Sequence, residues 1–178
     1  MKLLAFAATN SKQSINKQLV SYAAGLIEDA DIEIIDINDF EMPIYSADRE
    51  EEFGIPDEAH RFYQKIGTAD ALLIAFAEHN GSYTAAYKNL FDWTSRIDMK
   101  VYQGRGIVML ATSPGPGGAN NVLTVAKDSA SYFAGDVKAA FSLPSFYDHF
   151  DQEKGKLVDE ALDSALKDAL SAFSPVYG

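Results

Sequence analysis

Apolar and polar positions alternate along this chain in blocks of two kinds. Lys2 to Ala8 is a nearly continuous apolar run, the pattern of a buried strand, and Ser14 to Glu28 follows with helical spacing. Asp31 to Ile37 (DIEIIDI) alternates at period two, so it reads as a strand with one less buried face. Asn38 to Pro56 reads as a long acidic loop. Asp57 is an expected N-cap for a helix to about Gly67. Asp70 to Ala77 and Arg105 to Thr112 are further apolar strands, with a helix from Tyr83 or Thr84 to Ile97 between them. Gly118 to Phe133 is expected to be mostly helix and Val137 to Leu143 a fifth strand. Lys156 to Phe173 is expected as a last amphipathic helix, with Leu157, Val158, Ala161, Leu162, Ala165, Leu166, Ala169 and Leu170 on one stripe.

Five strands alternating with five helices predict an α/β fold of three layers, a parallel sheet with helices on both faces. The first, third and fourth strands are the most apolar and belong at the centre. The second is more polar and belongs at an edge. The predicted order is therefore 2-1-3-4-5, the flavodoxin-like arrangement, in one domain over 1–178. Ligands of such sheets sit beyond the carboxyl ends of the strands. Those ends fall at residues 8–16, 77–83 and 113–118, three loops rich in small polar residues and glycine.

Composition narrows the chemistry. Cysteine is absent, which removes disulfides, thiolate catalysis and cysteine metal sites and suits a reducing cytoplasm. His60, His79 and His149 are scattered without metal-ligand spacing, so no metal is expected. A net charge of -11 argues against nucleic acid and anionic membranes as partners. No apolar run approaches the ~20 residues of a membrane span, and the amino-terminal run lacks the form of a secretory signal.

The first loop, Ala8-Thr9-Asn10-Ser11-Lys12-Gln13-Ser14-Ile15-Asn16, enters a helix whose free N–H groups favour an anion. Thr9, Ser11 and Ser14 add hydroxyls, Asn16 an amide and Lys12 a charge, a donor set suited to a phosphomonoester. The plainer alternative is helix capping, which accounts for one hydroxyl but not for all of them. There is no GxGxxG after the first strand and no GxxxxGK[ST] in the chain. In the second loop, Asn80-Gly81 taken alone is an ordinary turn, and His79 and Tyr83 taken alone are surface residues. In the third, Ser113-Pro114-Gly115-Pro116-Gly117-Gly118 combines close backbone approach with proline stiffness. A binding loop and a simple turn both fit it.

Together the three loops resemble the NADPH-dependent FMN reductase family, which includes flavodoxin-like FMN, quinone, chromate and azo reductases. The family's first-loop pattern G-S-x-R-x-x-S-x-N is met in kind by Thr9, Ser14 and Asn16, with Ala8 for the glycine and Ser11 for the arginine. Its second pattern, P-E-Y-N-x-S-x-x-x-x-L-K-N-x-x-D-W, is met by Glu78, Asn80, Ser82, Lys88, Asn89, Asp92 and Trp93. Ala77, His79 and Tyr87 depart from it. The resemblance implies that Thr9, Ser11, Lys12, Ser14, Ile15 and Asn16 hold the FMN phosphate. It implies that Glu78, His79, Asn80, Gly81, Ser82, Tyr83, Ser113, Gly115, Gly117 and Gly118 line the isoalloxazine. It further implies hydride delivery from NADPH or NADH, a small-molecule electron acceptor, a homodimer or homotetramer, and no acid or base side chain. Trp93 reads as packing or a contact between copies. An electron carrier without NAD(P)H activity, or a scaffold that has lost FMN, are the competing functions.

Overall fold

The computed structural model describes residues 1–173. In chain order the elements are β1 (Lys2–Ala8), α1 (Ile15–Gly25), β2 (Asp31–Asp36), α2 (Ala47–Phe53), α3 (Asp57–Thr68), β3 (Ala71–Phe76) and α4 (Ala85–Ile97). There follow β4 (Gly106–Thr112), α5 (Asn120–Ala130), β5 (Asp136–Leu143), α6 (Phe146–His149), β6 (Phe150–Asp151), β7 (Lys156–Leu157) and α7 (Glu160–Leu170). Short 3₁₀ turns cover Ile37–Phe40, Ser131–Phe133 and Ser171–Phe173.

The five main strands form one parallel sheet in the order β2-β1-β3-β4-β5, as the apolar ranking of the strands predicts. Successive side chains of a strand point to opposite faces, and this divides the core in two. Leu4, Phe6, Leu72, Ile74, Phe76, Ile107 and Met109 face α3, α4 and α5. Leu3, Ala5, Ala7, Leu73, Ala75, Val108 and Leu110 face α1 and α7. Strands buried on both sides read as continuous apolar runs for this reason. The register sets Ala8 beside Phe76, and Phe76 beside Ala111, so the loops after β1, β3 and β4 leave the sheet side by side.

Three local expectations need correction. The acidic loop contains a 3₁₀ turn and α2. That helix starts on a Ser46 cap, which accepts from the Arg49 amide at 3.2 Å, and it buries no residue, so it leaves no apolar period. Asp57 is the first residue of α3 rather than its cap; Pro56 holds the cap position without a side-chain bond. The last stripe is broken. Leu157 is buried in the β6–β7 hairpin, Val158 is exposed, and Asp159 restarts the chain as α7 by accepting from the Ala161 and Leu162 amides at 3.0 Å. Ala161 and Ala165 therefore face solvent.

Candidate functional site

The first loop is built around a helix start. Ser14 caps α1, its Oγ accepting from the Asn16 amide at 3.1 Å, and Thr9 Oγ1 accepts from the Ser11 amide at 3.2 Å. Thr9 and Ser14 are both buried, whereas Asn10, Ser11, Lys12 and Gln13 are exposed. Among the described residues, the N–H groups of Asn10, Lys12, Gln13, Ser14 and Ile15 meet no protein acceptor. An 11-residue helix directs its positive end at this set of donors. Lys12 makes no ion pair among the described residues, while Lys17 is held by Asp36 at 2.6 Å. Partial burial would lift the Asp36 carboxyl, but bonds from Lys17 and Asn38 outweigh it and hold the group below its usual range.

Asn16 ties that loop to the sheet. Its side chain is buried and spans to β4, with Nδ2 donating to Thr112 O and Oδ1 accepting from Thr112 N, both at 3.1 Å. One of its amide N–H groups and its oxygen fasten the first loop to the end of β4.

The second loop is a tight hairpin. His79 and Ser82 exchange backbone bonds of 3.0 and 3.2 Å around Asn80 (φ +51°) and Gly81 (φ +79°). Two consecutive positive φ values define a type I′ turn, which Asn-Gly suits. Among the described residues the Asn80 and Gly81 N–H groups have no acceptor. Thr84 was not singled out by the sequence except as a helix start. It caps α4 by accepting from the Tyr87 amide at 3.2 Å, and it donates to Ala8 O at 2.9 Å, tying this loop to the first. Beneath the turn, Tyr83 reaches Ser129 at 3.3 Å, and the buried hydroxyls of Tyr87 and Tyr102 lie 3.0 Å apart. Burial raises the pKa of all three phenols, so each stays neutral. Further along the motif, Asn89 and Trp93 donate to Pro43 O at 3.1 and 2.7 Å. They pin the 42–45 segment, and buried Trp93 is a packing residue.

Glu78 has a structural part of its own. Its Oε2 accepts from the Val122 amide at 2.9 Å and its Oε1 from Asn121 Nδ2 at 3.3 Å. The residue before α5 is Ala119, left-handed and without a capping side chain, so a carboxylate from the β3 loop caps this helix instead. In the third loop, Gly115 O accepts from Ser145 N at 2.9 Å, and Ser113 Oγ donates to the same carbonyl at 3.2 Å. Gly115 and Gly117 have open space where a Cβ would stand. Gly118 does not. At φ +56°, its Cβ would lie 2.3 Å from Ser142 Oγ and 3.1 Å from Pro144 N. Gly118 is a glycine because the end of β5 crowds it.

The structure thus brings the three loops together as one cross-tied surface. Two depressions flank it. One, of ≈ 710 Å³, runs from Lys12 and Ser14 along α1 to the β6–β7 hairpin. The other, of ≈ 230 Å³, lies between Asn10, the 37–44 segment and the start of α4. Residues 78–83 and 113–118 line neither and belong to the surface between them. Its exposed donors are backbone N–H groups, and no metal-holding group of His, Asp or Glu is found among the described residues. Nor is any described helix long and apolar enough to cross a membrane.

Comparison with known proteins places this arrangement. A family model described as NADPH-dependent FMN reductase matches residues 1–148. The chain is 34% identical over 117 residues to a 2-hydroxy-1,4-benzoquinone reductase of Burkholderia, covering 65% of this chain and 62% of that protein, just under two thirds of its length. It is 30% identical over 177 residues to an NADPH:quinone oxidoreductase of Arabidopsis thaliana, covering 96% of this chain and 88% of that one. Among solved structures, the flavoenzyme NAD(P)H:(acceptor) oxidoreductase FerB from Paracoccus denitrificans superposes with a TM-score of 0.76. That match covers 97% of this chain and 94% of FerB at 23% identity, a likeness of fold.

Proposed function

The chain belongs to the NADPH-dependent FMN reductase family, and from that premise we propose that it is an FMN-dependent NAD(P)H oxidoreductase whose second substrate is a quinone. The supporting observation is the donor set at the start of α1. The N–H groups at residues 10 and 12–15 and the Lys12 ammonium, all without a partner among the described residues, together with the Ser11 hydroxyl, fit a phosphomonoester dianion, the terminal group of FMN. The N–H groups of Asn80 and Gly81 suit the carbonyl-bearing edge of a flat heterocycle, and the open sides of Gly115 and Gly117 let such a ring approach backbone. Names of relatives support the acceptor class, since the Burkholderia and Arabidopsis proteins are both quinone reductases.

When bound, FMN supplies the redox chemistry, taking hydride from NADPH or NADH and returning two electrons to the acceptor. This chain's residues bind and orient. Ser11 and Lys12 fix the phosphate end together with the loop amides. The type I′ turn aims two N–H dipoles at the ring edge, where negative charge is best stabilised by fixed donors. Tyr83, kept neutral by burial, presents a ring and no charge beside that edge. Self-association is part of the proposal. Ile44 and Phe53, 66% and 76% accessible on the chain segment that precedes α3, are the residues proposed to meet a second copy.

The test is direct. Purified protein is loaded with FMN, desalted and examined for a retained visible flavin band, then assayed for NADPH and NADH oxidation with a benzoquinone. Retained flavin with quinone-dependent oxidation is expected. A colourless protein that also fails to turn over with excess FMN would sink the proposal. Flavin retention without nucleotide oxidation would identify an electron carrier instead.

A further inference from the structure

Asn80 and Gly81 form the sole Asn-Gly pair in the chain. An asparagine followed by glycine can modify itself, because no Cβ on the glycine hinders the approach of its nitrogen to the asparagine side-chain carbon. Whether it does so depends on what holds the two reacting groups. Five of the seven asparagine side chains donate hydrogen bonds within the protein. Asn10 and Asn80 are both exposed, and their side chains make no hydrogen bond among the described residues.

These two differ in the nitrogen that would attack. After Asn10 it is the Ser11 N–H, which is held by Thr9 Oγ1 at 3.2 Å and belongs to a residue with a side chain. After Asn80 it is the Gly81 N–H, which has no acceptor among the described residues. Nothing stands within 4 Å of the place a Gly81 Cβ would take. Ring closure needs this nitrogen to swing towards Asn80 Cγ, out of the left-handed conformation at φ +51°. Left-handed backbone is sparsely populated for residues with a Cβ, so backbone preference does not oppose the rotation. The His79–Ser82 backbone bonds of 3.0 and 3.2 Å do oppose it. A local opening that breaks them is enough, and rare openings accumulate product because the step is irreversible. A ligand bonded to the closed turn lowers the open population.

We propose that Asn80 is a site of spontaneous deamidation in the ligand-free protein, and that flavin on the turn protects it. The protection rests on the reading of this turn as the flavin edge; the modification does not. The Gly81 nitrogen forms a bond to Asn80 Cγ, its proton passes through water to the departing side-chain nitrogen, and ammonia leaves. Water then adds across one of the two C–N bonds of the cyclic imide. One opening gives aspartate; the other leaves the chain running through Cγ as isoaspartate. No oxidant or cofactor takes part. Either product sets a carboxylate beside the N–H groups of the turn, and isoaspartate also lengthens the backbone of a two-residue loop. Both changes disfavour a carbonyl-bearing ring edge at that place. The protein therefore ages faster empty than loaded, and an aged copy reloads poorly.

Mass spectrometry reads the reaction directly, because residues 66–88 form one tryptic peptide in which Asn80 is the sole side-chain amide. Flavin-free protein is held at mildly alkaline pH, alone and with FMN, and samples are digested over days. Without FMN, this peptide should deamidate ahead of residues 3–12, which carry Asn10. With FMN at about 100 times its Kd, the reaction should slow about 100-fold. The converted fraction should bind FMN about tenfold more weakly, and Asn80→Asp should reproduce that loss without ageing. Asn80→Gly accepts the positive φ and lacks the amide, so its flavin retention should not decline from its own starting value. An unchanged peptide in flavin-free protein overturns the inference and leaves the flavin proposal intact. Conversion that FMN does not slow, in protein that retains the flavin, keeps the modification and overturns the protection. Conversion in a protein that takes up no flavin keeps the modification and overturns the flavin proposal. An unchanged peptide in such a protein overturns both.

Discussion

Removing the Glu78 carboxylate should loosen α5 from outside the helix. Two bonds are at stake, from the Val122 amide at 2.9 Å and from Asn121 Nδ2 at 3.3 Å. The first satisfies an N–H that every helix leaves open in its first turn, and Ala119 offers no substitute. Losing a side-chain cap costs about 0.5–2 kcal/mol. Losing a negative charge at a helix start costs about 0.3–1 kcal/mol more. Glu78→Ala should therefore lose roughly 1–3 kcal/mol, whereas Glu78→Gln, which keeps an acceptor, should lose only about the charge component. In a chain of this length each kcal/mol lowers Tm by about 2–4 °C. The alanine variant should thus melt roughly 2–12 °C lower and the glutamine variant about 1–4 °C lower. Hydrogen exchange localises the effect, because the Val122 amide should gain more in exchange rate in the alanine variant than the amides of β1, which report only the global loss. An alanine variant that melts with the wild type, or one matched by glutamine, refutes the capping argument.

Asn16→Leu should destabilise the protein by about 1–3 kcal/mol for each Thr112 backbone group it orphans, read as a lower urea midpoint at unchanged slope; an unchanged midpoint would show that water replaces the amide. Gly118→Ala should cost about 1–3 kcal/mol for its left-handed backbone and its collision with Ser142, while Gly117→Ala, with open space at its Cβ, should stay within about 0.5 kcal/mol of wild type. The reverse order in denaturant melts would contradict the assignment of the two glycines. Burial, with the 2.5 Å bond to Asp163 adding to it, pushes the Tyr22 phenol up from 10.0 to about 12. The unfolded phenol ionises first, so this stability is complete below pH 10 and declines as pH rises from 10 towards about 12. Tyr22→Phe should flatten that decline in alkaline unfolding titrations, and an unaltered slope would exclude Tyr22 as its source.

What was legible in the sequence follows the range of each interaction. The central strands were readable because burial on both faces leaves continuous apolar runs, as in ALLIAF and GIVMLAT, whereas DIEIID marks an edge. Helix α2 was not readable, because a helix with no buried residue carries no period. Leu157 and Val158 extended the period of α7 by coincidence; only the Asp159 cap and the hairpin pairing separate them. In the site, the donors of the first loop and the Asn-Gly turn were visible, being local. The commitments of Asn16, Glu78 and Gly118 were not. Their partners are Thr112, Val122 and Ser142, and Asn16 and Glu78 lie 96 and 44 positions from theirs. The larger depression along α1 was invisible for the same reason, since its walls come from both ends of the chain.

The ties between the loops also bear on how fast and at what entropic cost a ligand is captured. Thr84 joins the second loop to the first, Asn16 the first to β4, and Glu78 the second to α5. Ordering of these segments is completed when the chain folds, so a ligand meets a surface that has little freedom left to lose. Association should then be a single fast phase whose rate rises linearly with ligand concentration, without the plateau of a slow rearrangement. The heat capacity change should track the apolar area covered and little else. In the reductase proposed above, donor and acceptor would each meet a surface already prepared for them, without waiting for it to rearrange.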